Sequence, residues 1–204
     1  MLKYLFCLIS LMLVTAPLTS STFIGYTINT KNNNEINIIE YTDSVKTQLI
    51  NEVDTYINTI ALSSKLDGEI VVDKCCEYNV DIAFVLAQGQ IESHFGTTGT
   101  ARKTNSVFNV GAYDGYSAAK QRANGFGFSH PNESVEPYLI LLTNKYLVNG
   151  KTINDLMHVY VNHLGMRYAS DTRYEYMLRS VYNKINSKTN INSLYNEYVN
   201  CLKS

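Results

Sequence analysis

One stretch limits what this chain can fold into more than any other: Asp81-Ile-Ala-Phe-Val-Leu-Ala-Gln-Gly-Gln-Ile-Glu-Ser-His-Phe-Gly96. After the N-terminus it is the most apolar part of the sequence, and it carries a carboxylate, Glu92, near its end. Asp81 is suited to cap a helix, because its side chain can accept bonds from the first orphan N–H groups. Ile82, Val85, Leu86 and Gly89 fall on one helical face, and Ala83 and Ala87 widen it. The spacing predicts a helix buried on most sides, stopped by Gly96. A Glu one turn before the end of such a helix is costly unless it is paired, open to a cleft, or protonated.

At 204 residues the chain has the length for one domain with a real core. Its net charge is −1 and only 17% of residues are charged, which argues against electrostatic binding to nucleic acid. The aromatics are mostly Tyr (16, with no Trp), whose ring packs and whose hydroxyl suits sugar surfaces and ordinary cores alike. Lys3, the apolar run Tyr4 to Val14 and the small residues Thr15 to Ser21 have the form of a cleaved signal peptide over 1–21. The run is short for a membrane span. The expected location is therefore secreted, periplasmic or cell-envelope, with membrane contact only through that segment. Past it lie Cys75, Cys76 and Cys201, an odd number that forbids full intramolecular pairing. Cys201 bonded to one of the adjacent pair and buried free thiols both remain open. No Cys/His cluster has metal-ligand spacing, and no metal or cofactor is expected.

Residues 22–42 are polar and Asn-rich, and are expected as a flexible linker or short edge strand before a domain over 43–204. From Asp43 to Ala61 apolar residues recur at helical spacing. A short helix is expected over Glu69 to Glu77. After Gly96 comes a loop-rich insertion to about residue 130. A helix capped by Asn132 then runs to about Val148, with Pro137 tolerated in its first turn. Thr152-Ile-Asn-Asp155 resembles a capping box and opens a helix expected to end at Gly165. Asp171 caps a further helix, and a last one runs from Ile191 to Leu202. The architecture is mainly α.

Ala87-Gln-Gly-Gln-Ile-Glu-Ser-His-Phe-Gly96 resembles the Ala-Gln-x-x-x-Glu-Ser-x-(aromatic)-Gly segment of endo-β-N-acetylglucosaminidases of glycoside hydrolase family 73, the autolysin and flagellar type of peptidoglycan hydrolase, bacterial or phage-encoded. Three more segments follow in that family's order. Asn105-Ser-Val-Phe-Asn-Val-Gly111 is similar to its Asn-Asn-Leu-Phe-Gly-Ile, Glu133-Ser-Val-Glu-Pro-Tyr138 to its Glu-Ser-(Ile/Val)-x-x-Tyr, and Tyr168-Ala-Ser-Asp-Thr-Arg-Tyr174 to its Tyr-Ala-Thr-Asp-Pro-x-Tyr. The resemblance spans residues 43 to 186.

It implies a two-lobed, lysozyme-like α fold that hydrolyses the β-1,4 bond after N-acetylglucosamine in peptidoglycan glycan strands. The family's general acid falls on Glu92. A glycosidic oxygen is a poor leaving group and needs a proton as the bond breaks, and apolar surroundings would keep the carboxyl protonated near neutral pH. Tyr168 matches a family tyrosine close to that Glu, placed to orient it or to bond the substrate's acetamido group; Tyr174 is assigned to packing. The partner carboxylate is open. Asp114 is the only acid in residues 97–132 and stands as base or electrostatic partner. Glu133 and Glu136 match a helix start, where carboxylates also serve the macrodipole. The acetamido group could instead stabilise the oxocarbenium ion, and a lone acid would also suit a lytic transglycosylase. A catalytically silent wall-binding or virion domain is the reading outside the enzyme class. Substrate contacts are expected from Gln88, one turn before Glu92, from Phe108, from Tyr113 by stacking, and from Asn109, which stands where the family often has Gly.

Overall fold

A computed structural model describes residues 25–110 and 127–203, with side chains from residue 38. The chain divides into two compact units, Met1–Asn37 and Ile38–Ser204. In the first, the described backbone, 25–37, is helical, where a linker or edge strand was expected. It belongs to α1, Gly25–Ile60. The apolar positions that predicted a helix from Asp43 are those that reach the core: Val45, Leu49, Val53, Tyr56 and Ile57 are buried.

The second unit is mainly α. Helices α2 (Gly68–Tyr78), α3 (Ile82–Ser93) and α4 (Ala101–Thr104) are followed by a 3-10 turn, Pro131–Ser134, that runs into α5 (Val135–Leu141) and a π turn, Leu142–Tyr146. Then come α6 (Ile153–Leu156), α7 (Tyr174–Lys188) and α8 (Ile191–Cys201). Among the described residues the only β pairing is an isolated bridge, Val161 to Arg167. No described helix is long and apolar enough to cross a membrane.

α3 is the axis of this unit. Every residue from Ile82 to Gln88 is at most 1% exposed, and Gly89 is buried. Full burial of each large apolar side chain contributes about 1.5–3 kcal/mol, so this helix anchors the core. It packs chiefly against α7, and also against α8 and α2. Asp81 caps it as expected: its carboxylate accepts from the Phe84 N–H at 2.8 Å and from the Tyr182 hydroxyl at 3.1 Å. Burial raises the Asp81 pKa, against the lowering effect of those donors.

The far end of α3 differs from expectation. The helix stops at Ser93, three residues before Gly96, because His94 (φ 46°) and Phe95 (φ 54°) already turn left-handed. Phe95 is held there by burial of its ring, edge-on to Tyr56 at 6.2 Å, and by its N–H to Gly89 O at 3.1 Å. Gly89 permits this close approach. A Cβ on it would sit 3.2 Å from both the Phe95 and the Phe108 ring.

Two further expectations are corrected. The cap of the 3-10 turn at Pro131 is His130, whereas the Asn132 side chain accepts from Asp67 N–H at 2.9 Å. The Thr152–Asp155 capping box forms, but its helix lasts one turn and does not reach Gly165. Val159-Tyr160-Val161 disfavours helix because β-branched and aromatic side chains lose rotamer freedom there. Asn162 then accepts from the Leu164 and Met166 N–H groups, both at 2.9 Å, and turns the chain into the Val161–Arg167 bridge. Cys75 and Cys76 are free thiols, Cys75 fully buried, and burial raises the pKa of both.

Candidate active site

The serines of the two Glu-Ser segments fasten the segment that begins at Asn105 in place. Ser93, buried at the end of α3, donates to Val107 O at 2.6 Å and accepts from Gly96 N–H at 2.8 Å. Ser134, buried in the 3-10 turn, donates to Pro131 O at 2.6 Å and accepts from Val107 N–H at 3.2 Å. Both backbone groups of Val107 are thus satisfied by side chains from different parts of the chain, as a buried irregular segment requires. The Asn105 amide adds bonds to Phe128 O (3.0 Å) and Ser129 O (3.1 Å). Asn105 to Val110 is thereby laid across the end of α3, beside Glu92.

Asn109 is where that segment meets the carboxylate. Its Nδ2 donates both to the Glu92 backbone oxygen (3.1 Å) and to Glu92 Oε2 (3.2 Å). Its backbone is left-handed, with φ 51°. The family's Gly would fit that conformation, and Asn tolerates it better than most residues. Asn109 thus takes a left-handed backbone and brings an amide to the acid. Asn109 faces the acid directly, whereas a substrate contact was expected.

The other oxygen of Glu92 belongs to α7. The Tyr174 hydroxyl donates to Glu92 Oε1 at 2.6 Å. Tyr174, assigned by sequence to packing, is thus the tyrosine on the carboxylate, and its body is also buried at 4% exposure. The turn that presents it is made by Asp171, which accepts from Arg173 N–H at 2.8 Å through Oδ1 and from Tyr174 N–H at 3.1 Å through its backbone oxygen. Glu92 is half-buried. Desolvation raises its pKa above the usual carboxyl value of 4.5, while the bonds from Tyr174 and Asn109 pull the other way. Burial also pushes the Tyr174 hydroxyl well up, with the charges of Tyr168 and Glu92 adding to it, so Tyr174 stays a proton-bearing donor.

Tyr168 lies beside this pair rather than on it. Its hydroxyl donates to Phe108 O at 3.1 Å, its ring stacks on Tyr160 (centroids 4.6 Å apart, 14° between planes), and it lies 5.6 Å from the Tyr174 ring. Burial, and then the Glu92 charge, raises its pKa. Gln88, expected to bond Glu92 or substrate, is turned into the core instead. It is completely buried, and its Oε1 accepts from the Tyr138 hydroxyl (2.5 Å) and the Tyr160 hydroxyl (2.9 Å). Phe108, expected at the cleft floor or in the core beside it, is a core ring: 1% exposed and stacked on Tyr138 at 4.0 Å. Gln88 is corrected, and Phe108 takes the core alternative rather than the substrate contact, for the same reason. A side chain on the α3 core face, or packed over Gly89, has no path to a ligand. Tyr113 and Asp114 lie outside the described residues.

The loop that carries Tyr160 and Tyr168 is held by Glu175. Its carboxylate accepts from Tyr160 N–H (3.1 Å) and from Arg167 Nη2, 2.7 Å from each oxygen. These bonds outweigh burial and leave the Glu175 pKa lowered. The remaining acids of the matched segments are engaged elsewhere: Glu133 with Ser129, and Glu136 with Lys74 and Tyr78. Among the described residues no group of His, Cys, Asp and Glu is placed to hold a metal.

A mainly α, lysozyme-like domain whose central buried helix ends on a desolvated carboxyl, gripped by a tyrosine and an amide, is a glycosidase scaffold. The family described as glucosaminidase, mannosyl-glycoprotein endo-beta-N-acetylglucosaminidase, matches residues 68–187, more than half of the chain. The chain belongs to this family and is a glycoside hydrolase acting on a glycan. No curated protein matches it.

Proposed function

We propose that the protein cleaves the β-1,4 bond after N-acetylglucosamine in peptidoglycan glycan strands, with Glu92 as general acid. The observation that carries this is the desolvated Glu92 carboxyl at the end of α3, with its pKa raised above the ordinary value. A protonated carboxyl there gives its proton to the glycosidic oxygen as the C–O bond breaks and the electron pair leaves with that oxygen. The anomeric carbon becomes oxocarbenium-like and takes up water, which releases a proton. The carboxylate left behind accepts from Tyr174 and Asn109. Tyr168, stacked beside them, acts as a wall of the site with its hydroxyl fixed on Phe108. Asp114 is the proposed base or electrostatic partner and Tyr113 a sugar-stacking ring. If Asp114→Asn leaves turnover nearly unchanged, Asp114 is not the base.

Peptidoglycan lies outside the cytosol. The reading therefore goes with export by the N-terminal segment to a secreted or cell-envelope location, or with a phage enzyme that reaches the wall. The test is digestion of purified peptidoglycan with wild type and Glu92→Gln, with the fragments identified by mass spectrometry. Reducing-end N-acetylglucosamine released by wild type alone is the expected result. Anhydro-muramic ends would make the protein a lytic transglycosylase. Release by neither protein would remove peptidoglycan as the substrate.

A further inference from the structure

The Asn109 amide has only one workable orientation. Its Nδ2 reaches the Glu92 backbone oxygen, which can only accept, so a carbonyl cannot stand there. The same Nδ2 therefore turns its second hydrogen toward Glu92 Oε2. Oε2 faces an obligate donor. Oε1 faces the Tyr174 hydroxyl, which can rotate from donor to acceptor. The two carboxyl oxygens are thus chemically unequal, and the inequality comes from the Asn109 side chain.

Resting on the reading of Glu92 as the acid, we infer that Asn109 is a positioning residue that keeps Oε2 as an acceptor and so places the transferable proton on Oε1. Three features make the arrangement firm. Asn109 sits at φ 51° with its own N–H on Ser106 O at 3.1 Å. The preceding Val107 is clamped by Ser93 and Ser134. Glu92 is attached to the buried end of α3. The other titratable groups that face the carboxyl are Tyr174 from α7 and, feeling its charge, Tyr168 and Tyr160 from the loop before α7. Burial raises all three hydroxyls, so they remain neutral across the working range.

The inference separates two substitutions that a packing role would not. Asn109→Gly tolerates the left-handed backbone and leaves Oε2 open, so the proton divides between the two oxygens. Asn109→Asp fits the same left-handed backbone but sets acceptors against both Oε2 and the Glu92 backbone oxygen, so the bond to the backbone is lost and a proton shared by the two carboxyls is drawn to Oε2. Both remove a bond that favours the charged form, so the Glu92 pKa rises in each. The alkaline limb of the kcat/KM profile on purified peptidoglycan should move up by about one pH unit in Asn109→Gly. At the plateau, kcat should fall severalfold in Asn109→Gly and at least another tenfold in Asn109→Asp. Carbon-13 NMR titration of the Glu92 carboxyl reads the same pKa rise without activity, which covers a variant too slow to assay. An unmoved Glu92 titration in both variants, or Asn109→Asp as active as Asn109→Gly, overturns the inference. Glu92→Gln is run beside them. Full activity there removes the acid reading itself, whereas an inactive Glu92→Gln with unshifted Asn109 variants removes only the role of Asn109.

Discussion

Gln88 offers a quantitative test of how the core supports the site. Its Oε1 is the acceptor for two buried hydroxyls, Tyr138 and Tyr160, while its Nε2 has no partner. Gln88→Leu keeps the volume but strands both hydroxyls. Each stranded buried donor costs about 1–3 kcal/mol, so the loss is about 2–6 kcal/mol. Removing the orphan amide nitrogen returns about 1–3 kcal/mol on the same scale. The net destabilisation should therefore be about 1–3 kcal/mol, a sizeable part of a total of about 5–15 kcal/mol. Adding Tyr138→Phe and Tyr160→Phe deletes the stranded hydroxyls while keeping the stacks on Phe108 and Tyr168. That triple variant should exceed Gln88→Leu by about 2–6 kcal/mol, whatever the amide returns. Urea unfolding followed by far-UV circular dichroism measures the difference as a shift in midpoint at constant slope. A triple variant within about 1 kcal/mol of Gln88→Leu would refute the assignment of Gln88 as the acceptor hub.

Other outcomes follow from the same geometry. Tyr174→Phe removes the donor on Glu92 Oε1 and leaves the buried ring; the alkaline limb of kcat/KM should rise and kcat fall about tenfold, the scale of one lost charge-assisted bond. Glu92→Gln should be more stable than wild type at neutral pH. The folded pKa is raised, so the wild type loses stability as pH climbs through the unfolded value near 4.5 toward the folded one, and the two thermal midpoints should converge below that window. Arg167→Ala works with the opposite sign. Glu175 is lowered in the folded state, so its pairing stabilises above the unfolded value near 4.5 and is lost as pH falls through the folded value. With Arg167 substantially exposed, the expected cost at pH 7 is about 1 kcal/mol by urea unfolding, fading in acid.

The sequence carried the scaffold further than the site. Asp81 as cap and the buried face of α3 were legible because apolar spacing and capping are local signals. So was the capping box at Thr152. The one-turn length of α6 was not, because the helical spacing outweighed the β-branched and aromatic run Val159 to Val161 and did not show the turn that Asn162 makes after it. The place of Glu92 at the end of α3 was legible from its segment, but which groups hold it was not. Tyr168 and Tyr174 sit on either side of the turn built by Asp171, and only that turn decides which hydroxyl reaches Oε1. Asn109 was a departure from the family's glycine whose meaning needed its φ and its two acceptors. Gln88 misled because spacing gives a face and not what covers it; Phe108, left between cleft floor and core by its segment, closes that face over Gly89.

The claim at the centre is that Glu92 supplies the proton. Rates of reducing-end release from peptidoglycan, measured for wild type and Glu92→Gln after matched circular dichroism spectra establish equal folding, test it most directly. A positioned general acid is worth about 100- to 10,000-fold, and the predicted loss in Glu92→Gln lies in that range, with the wild-type alkaline limb above the ordinary carboxyl value of 4.5. A Glu92→Gln protein within tenfold of wild type, with the same pH profile, would contradict the account.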